Sequence, residues 1–159
     1  MTKKNTTLLT LVLVMGFLVG CGAKIPNVDW TLKISGEVAT PMEFSFADLA
    51  KMDQTDLNDI MMEKSTGEDE ITSWSGVKLD DILVQAGAAD DYVSITAIAS
   101  DGYSIEIAKE ELTGAIVALK NSEEWIVTVT PDKGPIRLVT PLTPANRWVF
   151  GIVELQVNK

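Results

Sequence analysis

The segment WSGVKLDDIL, from Trp74 to Leu83, decides the fold, because it joins a glycine-containing apolar stretch to the start of a helix. Apolar residues recur at helical spacing from Leu79 to Ala86, and Gly87 follows at the position where a glycine commonly ends a helix. The segment therefore predicts a helix over Leu79 to Ala86 that is entered through Trp74 to Val77 and closed by Gly87.

The residues upstream of this segment predict a strand and a second short helix. Apolar and polar residues alternate from Trp30 to Ile34, a pattern typical of a half-buried strand. Ser45 precedes a helix predicted over Phe46 to Met52, and Asp48 stands three residues on as its capping-box partner. A short strand is expected around Glu43.

The residues downstream predict a hairpin and several more strands. Tyr92 to Ala99 and Tyr103 to Ile107 alternate on either side of Asp101-Gly102, which is a strong turn pair. Four further apolar segments predict strands: Ile116 to Leu119, Trp125 to Thr130, Ile136 to Val139 and Trp148 to Val157. Many short strands with two short helices indicate an α+β fold. We expect a mixed, mainly β architecture in a single domain over residues 30–159.

The N-terminal residues are typical of a secretion signal. Lys3 and Lys4 precede an apolar run from Leu8 to Val19. This run is too short to span a bilayer core, which needs about 20 residues, and it has the length of a signal-peptide core. The sequence therefore predicts a signal peptide over residues 1–20.

The end of the apolar run carries a possible lipid attachment site. Residues 18–21 (LVGC) resemble the lipobox of bacterial lipoproteins, in which the cysteine is lipidated and becomes the first mature residue. We therefore expect lipidation of Cys21, a lipidated tether over residues 21–29, and a position on the extracytoplasmic face of the cell membrane. The alternative is an ordinary signal peptide followed by a chance cysteine.

Composition excludes several classes of site. Cys21 is the only cysteine and the chain has no histidine, so a disulfide framework, a histidine-based zinc site and a Ser-His-Asp triad are excluded. The chain has a formal net charge of −10, and loss of Lys3 and Lys4 with the signal peptide would take it to −12. Such a charge repels nucleic acid, so we expect no nucleic-acid partner. The same negative charge is compatible with a plain solvated surface, or with the binding of cations or basic partners.

Several motifs occur in the order found in one known family. Over Trp30 to Val157 the chain resembles the sulfite oxidase-type molybdopterin-binding domain, which implies that fold. The motifs that carry the resemblance are Trp30 to Val38 with Pro41, Phe44 to Leu49, Trp74 to Leu83, Asp101 to Tyr103, Gly134 to Pro141, and Trp148 with Ile152 to Leu155.

The resemblance implies a cofactor cleft bordered by these motifs, with Arg137 as its main anion-binding residue. A guanidinium offers a planar set of donors that suits phosphate or carboxylate. The alternative for Arg137 is a structural ion pair with one of the many acidic residues. On the anion-binding hypothesis, we expect Arg137→Ala to remove anion binding and leave folding largely intact.

Five other residues complete the predicted ligand site. Trp74 and Tyr103 would stack on a flat ligand, or pack in the core without one. Asp101 would hold its turn first and contact a ligand second. Arg147, beside Asn146, would add a second positive charge, unless it is a surface residue.

The cysteine that ligates molybdenum in this family is missing from the chain. The resemblance places it shortly before Trp74, where residues 59–67 read DIMMEKSTG. Met61 and Met62 carry neutral thioethers, which replace a thiolate poorly, and we expect both to pack in the core. We therefore assign no metal ligand and no catalytic residue. Molybdopterin remains a cofactor implied by the resemblance alone.

Three functional hypotheses follow from these observations. The first is a non-catalytic, membrane-tethered module that binds a small anionic or heterocyclic ligand, or a partner protein, without molybdenum. The second is a subunit of an extracytoplasmic redox complex with a redox partner protein. The third is a molybdopterin-dependent oxidoreductase with atypical ligation.

Overall fold

Ten strands of residues 24–159, the part of the chain that the computed structural model describes, form two five-stranded sheets. Sheet I has the strand order β2-β1-β10-β5-β6, and β1 runs parallel to β10. Its strands are β1 (Thr31–Gly36), β2 (Met42–Ser45), β5 (Ser94–Ala99), β6 (Ser104–Ala108) and β10 (Ile152–Asn158). The predicted signal peptide and the predicted lipidation site, Cys21, lie outside the described residues.

Sheet II has the order β3-β4-β7-β8, and β9 pairs with the same edge of β7 that β8 uses. Its strands are β3 (Gln54–Met62), β4 (Glu70–Lys78), β7 (Ile116–Asn121), β8 (Glu124–Trp125) and β9 (Arg137–Val139). All the pairings in sheet II are antiparallel. The mainly β architecture predicted from the sequence is confirmed.

The two predicted helices are present. Helix α1 (Phe46–Lys51) begins at Ser45, whose hydroxyl accepts from the Asp48 N–H at 3.1 Å while its own N–H donates to the Asp48 carboxylate at 3.0 Å. Helix α2 (Leu79–Ala86) ends at Gly87, which has a left-handed φ of +67°. No helix in residues 24–159 is long and apolar enough to cross a membrane.

The faces of sheet II contribute to two separate hydrophobic clusters. Val117 and Leu119 of β7 point into the main core, which also contains residues of sheet I and of both helices. Ile116 and Ala118, which alternate with them, join a second cluster that contains Trp74 and Trp148; we call it the tryptophan cluster. Sheet II is therefore covered on both faces, and the tryptophan cluster supports the candidate site.

The strand predicted over Trp125 to Thr130 is wrong. Only Glu124 and Trp125 pair with β7, and the chain then forms a helical turn, α3 (Ile126–Val129). The next positions along this edge of β7 are already paired with β9, with Arg137 opposite Ala118. The β-branched sequence therefore has no free edge to join, and Ile126 is buried in the tryptophan cluster instead.

Three 3-10 turns and several shifted strand ends complete the fold of residues 24–159. The last strand begins at Ile152 instead of Trp148, and β5 begins at Ser94, so that Val93 is exposed rather than part of the buried face. Segment 74–77, expected to lead into α2, lies within strand β4. The 3-10 turns are Lys109–Leu112, Pro131–Lys133 and Ala145–Arg147.

We expect Gly102→Val to destabilise the domain by about 2 kcal/mol, because Gly102 has a φ of +86°, where a β-branched residue is strained. A Cβ would meet nothing within 4 Å, so backbone strain is the whole effect. Urea unfolding measures the loss. The control is Ser104→Val on the adjacent exposed strand position, expected to change stability by less than about 0.5 kcal/mol. Equal losses in both variants would contradict the assignment.

Candidate anion-binding cleft

Arg137 is a buried charged residue on strand β9, with 6% of its surface exposed. The alternation along β9 sends Leu138 into the main core and Val139 into the tryptophan cluster, so Arg137 shares the side of the sheet that faces that cluster. Its guanidinium carbon lies 3.9 Å from the ring centroid of Phe150, with Trp74 at 5.0 Å and Trp148 at 5.3 Å. Aromatic rings therefore enclose this charge.

No carboxylate neutralises this arginine in the described part of the chain. Four ion pairs occur there and none includes Arg137. Its Nε donates to the Trp148 carbonyl at 3.3 Å, and its Nη1 lies 3.7 Å from the sulfur of Met62. Burial lowers the pKa of Arg137 to about 10, which leaves the group charged at neutral pH. Arg137 therefore does not form the structural ion pair that was the alternative to anion binding, within residues 24–159.

A cleft of about 370 Å³ opens beside the guanidinium. Lys64, Lys133 and Arg137 line it, and Glu70 is the one carboxylate among its lining residues. Lys64 pairs with Glu70 at 2.7 Å, which leaves Lys133 and Arg137 as the cations of the cleft without a carboxylate in the described chain. The cleft is therefore cationic within a strongly acidic protein, which favours the entry of anions.

Trp74, Arg137 and Asn146 meet at this cleft, as three of the six predicted ligand-binding residues. Trp74 is 3% exposed, donates from its indole N–H to the Thr72 hydroxyl at 2.9 Å, and packs edge-on against Trp148. It is thus a core residue with one edge at the cleft. Asn146 lies in the 3-10 turn that follows Pro144.

Tyr103, Asp101 and Arg147 lie outside the lining of the cleft. The Asp101 carboxylate accepts from the Tyr103 N–H at 2.9 Å, so it holds its turn. The half-exposed Tyr103 places its hydroxyl 3.4 Å from the Asn146 carbonyl. Arg147 donates to the Glu111 carboxylate at 2.8 Å. These residues support the loop that carries Asn146.

Lys133 and Phe150 belong to the cleft although no motif indicated them. Lys133 lies 5.1 Å from the ring centroid of Phe150. Two glycines bring their loops together, because a Cβ on Gly134 would lie 2.8 Å from the Cα of Gly151. Both glycines have positive φ values. The one sequence signal for this contact was the pair of glycines that directly follow Lys133 and Phe150.

The two methionines at the end of β3 differ in their surroundings. Met62 is half-buried and lines the cleft, whereas Met61 is 50% exposed. The prediction that both pack in the core is wrong for Met61, because the two-residue period of a strand turns neighbouring side chains to opposite faces.

The fold and the cleft define a class of protein: a mixed, mainly β domain built around a buried arginine at a cationic cleft. A sequence profile of the oxidoreductase molybdopterin binding domain family matches residues 22–159. The chain therefore belongs to the oxidoreductase molybdopterin binding domain family. No curated protein sequence matches the chain.

A solved structure has a similar fold. The sulfane dehydrogenase SoxCD from Paracoccus pantotrophus matches with a TM-score of 0.72 and 20% sequence identity, over 84% of this chain. The chain spans 40% of the length of that SoxCD chain. At this identity the likeness establishes the fold alone.

The cleft does not fit a molybdenum centre held by a protein thiolate. Residues 24–159 contain no cysteine or histidine, and no group of three acidic, histidine or cysteine side chains there is placed to hold a metal ion. Where the resemblance puts the family's cysteine, the chain has Met61 and Met62, whose thioethers carry no charge. A molybdenum centre of that kind has no protein ligand in this cleft.

Proposed function

We propose that the chain is an extracytoplasmic lipoprotein whose molybdopterin-type domain binds a small anionic ligand at Arg137, without molybdenum and without catalysing a reaction. The observation that carries this proposal is a buried, charged arginine at the wall of an open cleft, with no carboxylate partner among residues 24–159. A buried charge without a partner is costly, and a bound oxyanion offsets that cost through charge-assisted hydrogen bonds.

The surroundings of the guanidinium narrow the ligand to a small anion, with or without a flat ring. The cleft volume of about 370 Å³ lies at the lower end of the range for small-molecule sites. Lys133 adds a second positive charge beside Phe150. The edge of Trp74 and the ring of Phe150 supply apolar surface for a heterocycle that carries the anionic group.

Calorimetric titration of the full-length chain with sulfate and phosphate tests the proposal. We expect binding of at least one of these anions, and a rise in Tm in their presence. The matched control is Lys120→Met, which removes a positive charge that lies over Trp125, outside the cleft, and should bind as the wild type does. No binding of sulfate, phosphate, a pterin or a flavin nucleotide would overturn the proposal.

Metal analysis tests the absence of molybdenum separately. The full-length chain, made in a host that is replete with molybdenum and pterin cofactor, should carry far less than one molybdenum per chain. A content close to one would contradict the proposal and favour an oxidoreductase with atypical ligation.

A second candidate function is a subunit of an extracytoplasmic redox complex, and the structural likeness to a dehydrogenase favours it. Co-purification with a haem, flavin or iron–sulfur protein from native membranes would support this candidate. A strictly monomeric protein in native extracts would count against it.

We predict that Cys21→Ser abolishes lipidation, because a serine hydroxyl is a far weaker nucleophile than a thiol and cannot form the thioether-linked anchor. Incorporation of a clickable fatty acid in growing cells measures the effect, and the label should fall to background. Lys24→Gln, a change within the same tether, should be labelled like the wild type. Equal labelling of wild type and Cys21→Ser would refute the anchor.

A further inference from the structure

Met62 is the side chain that faces the Nη1 donor of Arg137, with 3.7 Å between its sulfur and that nitrogen. A guanidinium has five N–H donors, and in residues 24–159 the only oxygen that accepts from this one is the Trp148 carbonyl, from Nε. A thioether sulfur is a weak acceptor. Among residues 24–159, no Arg137 nitrogen is fully buried without a partner, so its Nη2 is open to the cleft that Met62 also lines.

We propose that Met62 is a redox modification site of the cleft: its oxidation to the sulfoxide gives Arg137 an oxygen acceptor from within the protein and weakens the binding of anionic ligands. This inference rests on the proposed anion-binding function. The oxidant belongs to the class of peroxides, which are small enough to reach the sulfur through the open cleft.

The chemistry is a two-electron oxygen transfer. A lone pair of the Met62 sulfur attacks one oxygen of hydrogen peroxide, a sulfur–oxygen bond forms, and the oxygen–oxygen bond breaks. The proton on the transferred oxygen moves to the departing hydroxide, so that the products are the sulfoxide and water. The sulfur is oxidised and the peroxide is reduced.

Because Met62 lines the cleft, its oxidation changes how the cleft binds anions. Oxidation converts a flexible apolar side chain into a polar one. Its oxygen, on a side chain with three rotatable bonds, is a strong acceptor within reach of a cation. A ligand anion then competes with an acceptor that is covalently held beside Arg137.

Met61 is a built-in control for this proposal. It is the preceding residue on β3, it is 50% exposed, and it lies opposite Ile71 of β4 instead of lining the cleft. A sulfoxide at Met61 is therefore turned away from Arg137. The two methionines differ in their relation to the cleft while sharing the same chemistry.

The test compares three full-length chains before and after treatment with hydrogen peroxide: wild type, Met61→Leu and Met62→Leu. Peptide mass spectrometry locates the sulfoxides, and calorimetry measures sulfate affinity. We expect oxidation to weaken sulfate binding roughly tenfold in wild type and Met61→Leu, the equivalent of one charge-assisted hydrogen bond. Met62→Leu, whatever its starting affinity, should show no change on oxidation.

Two results would overturn the inference. One is a loss of affinity in Met62→Leu as large as in the wild type. The other is a Met62 that stays reduced while Met61 is fully oxidised, and this result counts whether or not the cleft binds anions. If the unoxidised wild type binds no anion at all, the proposed function fails. The positions of the sulfoxides then still show whether Met62 is a modification site.

Discussion

Gly76→Ala should prevent the chain from accumulating as folded protein. A Cβ on Gly76 would lie 2.1 Å from the carbonyl oxygen of Val117 and 2.5 Å from the Cα of Ala118. Both are backbone atoms of β7, so no side-chain rotation can relieve the clash. The register between β4 and β7 also shifts between Ser75 and Gly76, so this close contact lies at an irregularity of the strand pairing.

Strand β7 cannot move away, because it connects both hydrophobic clusters. Val117 belongs to the main core and Ala118 to the tryptophan cluster. We therefore expect a loss of more than about 4 kcal/mol, which is a large part of the stability of an ordinary domain. Soluble yield and urea unfolding monitored by circular dichroism measure the effect.

Gly114→Ala is the matched control for this prediction. Gly114 has a φ of +74°, and a Cβ there would meet nothing within 4 Å. The same substitution then costs only backbone strain, about 1 kcal/mol. A Gly76→Ala chain as stable as Gly114→Ala would show that the close contact between β4 and β7 is wrong.

Arg137→Met should separate binding from stability. Methionine is of similar length to arginine and apolar, and it can fill the space among Trp74, Trp148 and Phe150. Replacing a buried charge by a well-packed apolar side chain is often neutral or stabilising. We expect a Tm at or above that of the wild type, together with a roughly 100-fold loss of sulfate affinity, because about two charge-assisted hydrogen bonds disappear.

Arg137→Ala is the informative comparison. The sequence predicts that this variant leaves folding largely intact, but the structure places Arg137 among three aromatic rings at 6% exposure. Truncation leaves a cavity there, so we expect about 3 kcal/mol of lost stability in addition to lost binding. An unfolded Arg137→Met chain would assign Arg137 a structural role and remove the main support for the anion site.

The sequence correctly predicted those helices whose start or end is fixed by residues close to them in the chain. The capping box of Ser45 and Asp48, and helix α2 with Gly87, are close to the predictions because their hydrogen bonds form within one or two turns. The segment Trp125 to Thr130 was predicted wrongly for the opposite reason. Whether it forms a strand depends on β9, which occupies the edge of β7 that the segment would need.

The candidate site was also predicted only in part: the sequence indicated single residues but not their neighbours in the fold. A motif indicated Arg137, but only the tertiary structure shows that Phe150 packs on it and that Met62 reaches it across 75 residues of sequence. Tyr103 and Arg147 were predicted as ligand contacts, whereas the structure uses them to hold the loop that bears Asn146. The motifs alone did not distinguish the polar residues that line the cleft from those that support its loops.

The parallel pairing of β1 with β10 also constrains when the domain can form. Lys33 lies opposite Glu154, and the indole of Trp30 donates to the Ile152 carbonyl across 122 residues of sequence. Sheet I therefore cannot close until β10 has been synthesised, because β1 pairs with β10 at the centre of the sheet. If the chain is exported as proposed, sheet I would stay open during translocation and close only after β10 has left the secretion channel, so that translocation and folding would occur in sequence rather than in competition.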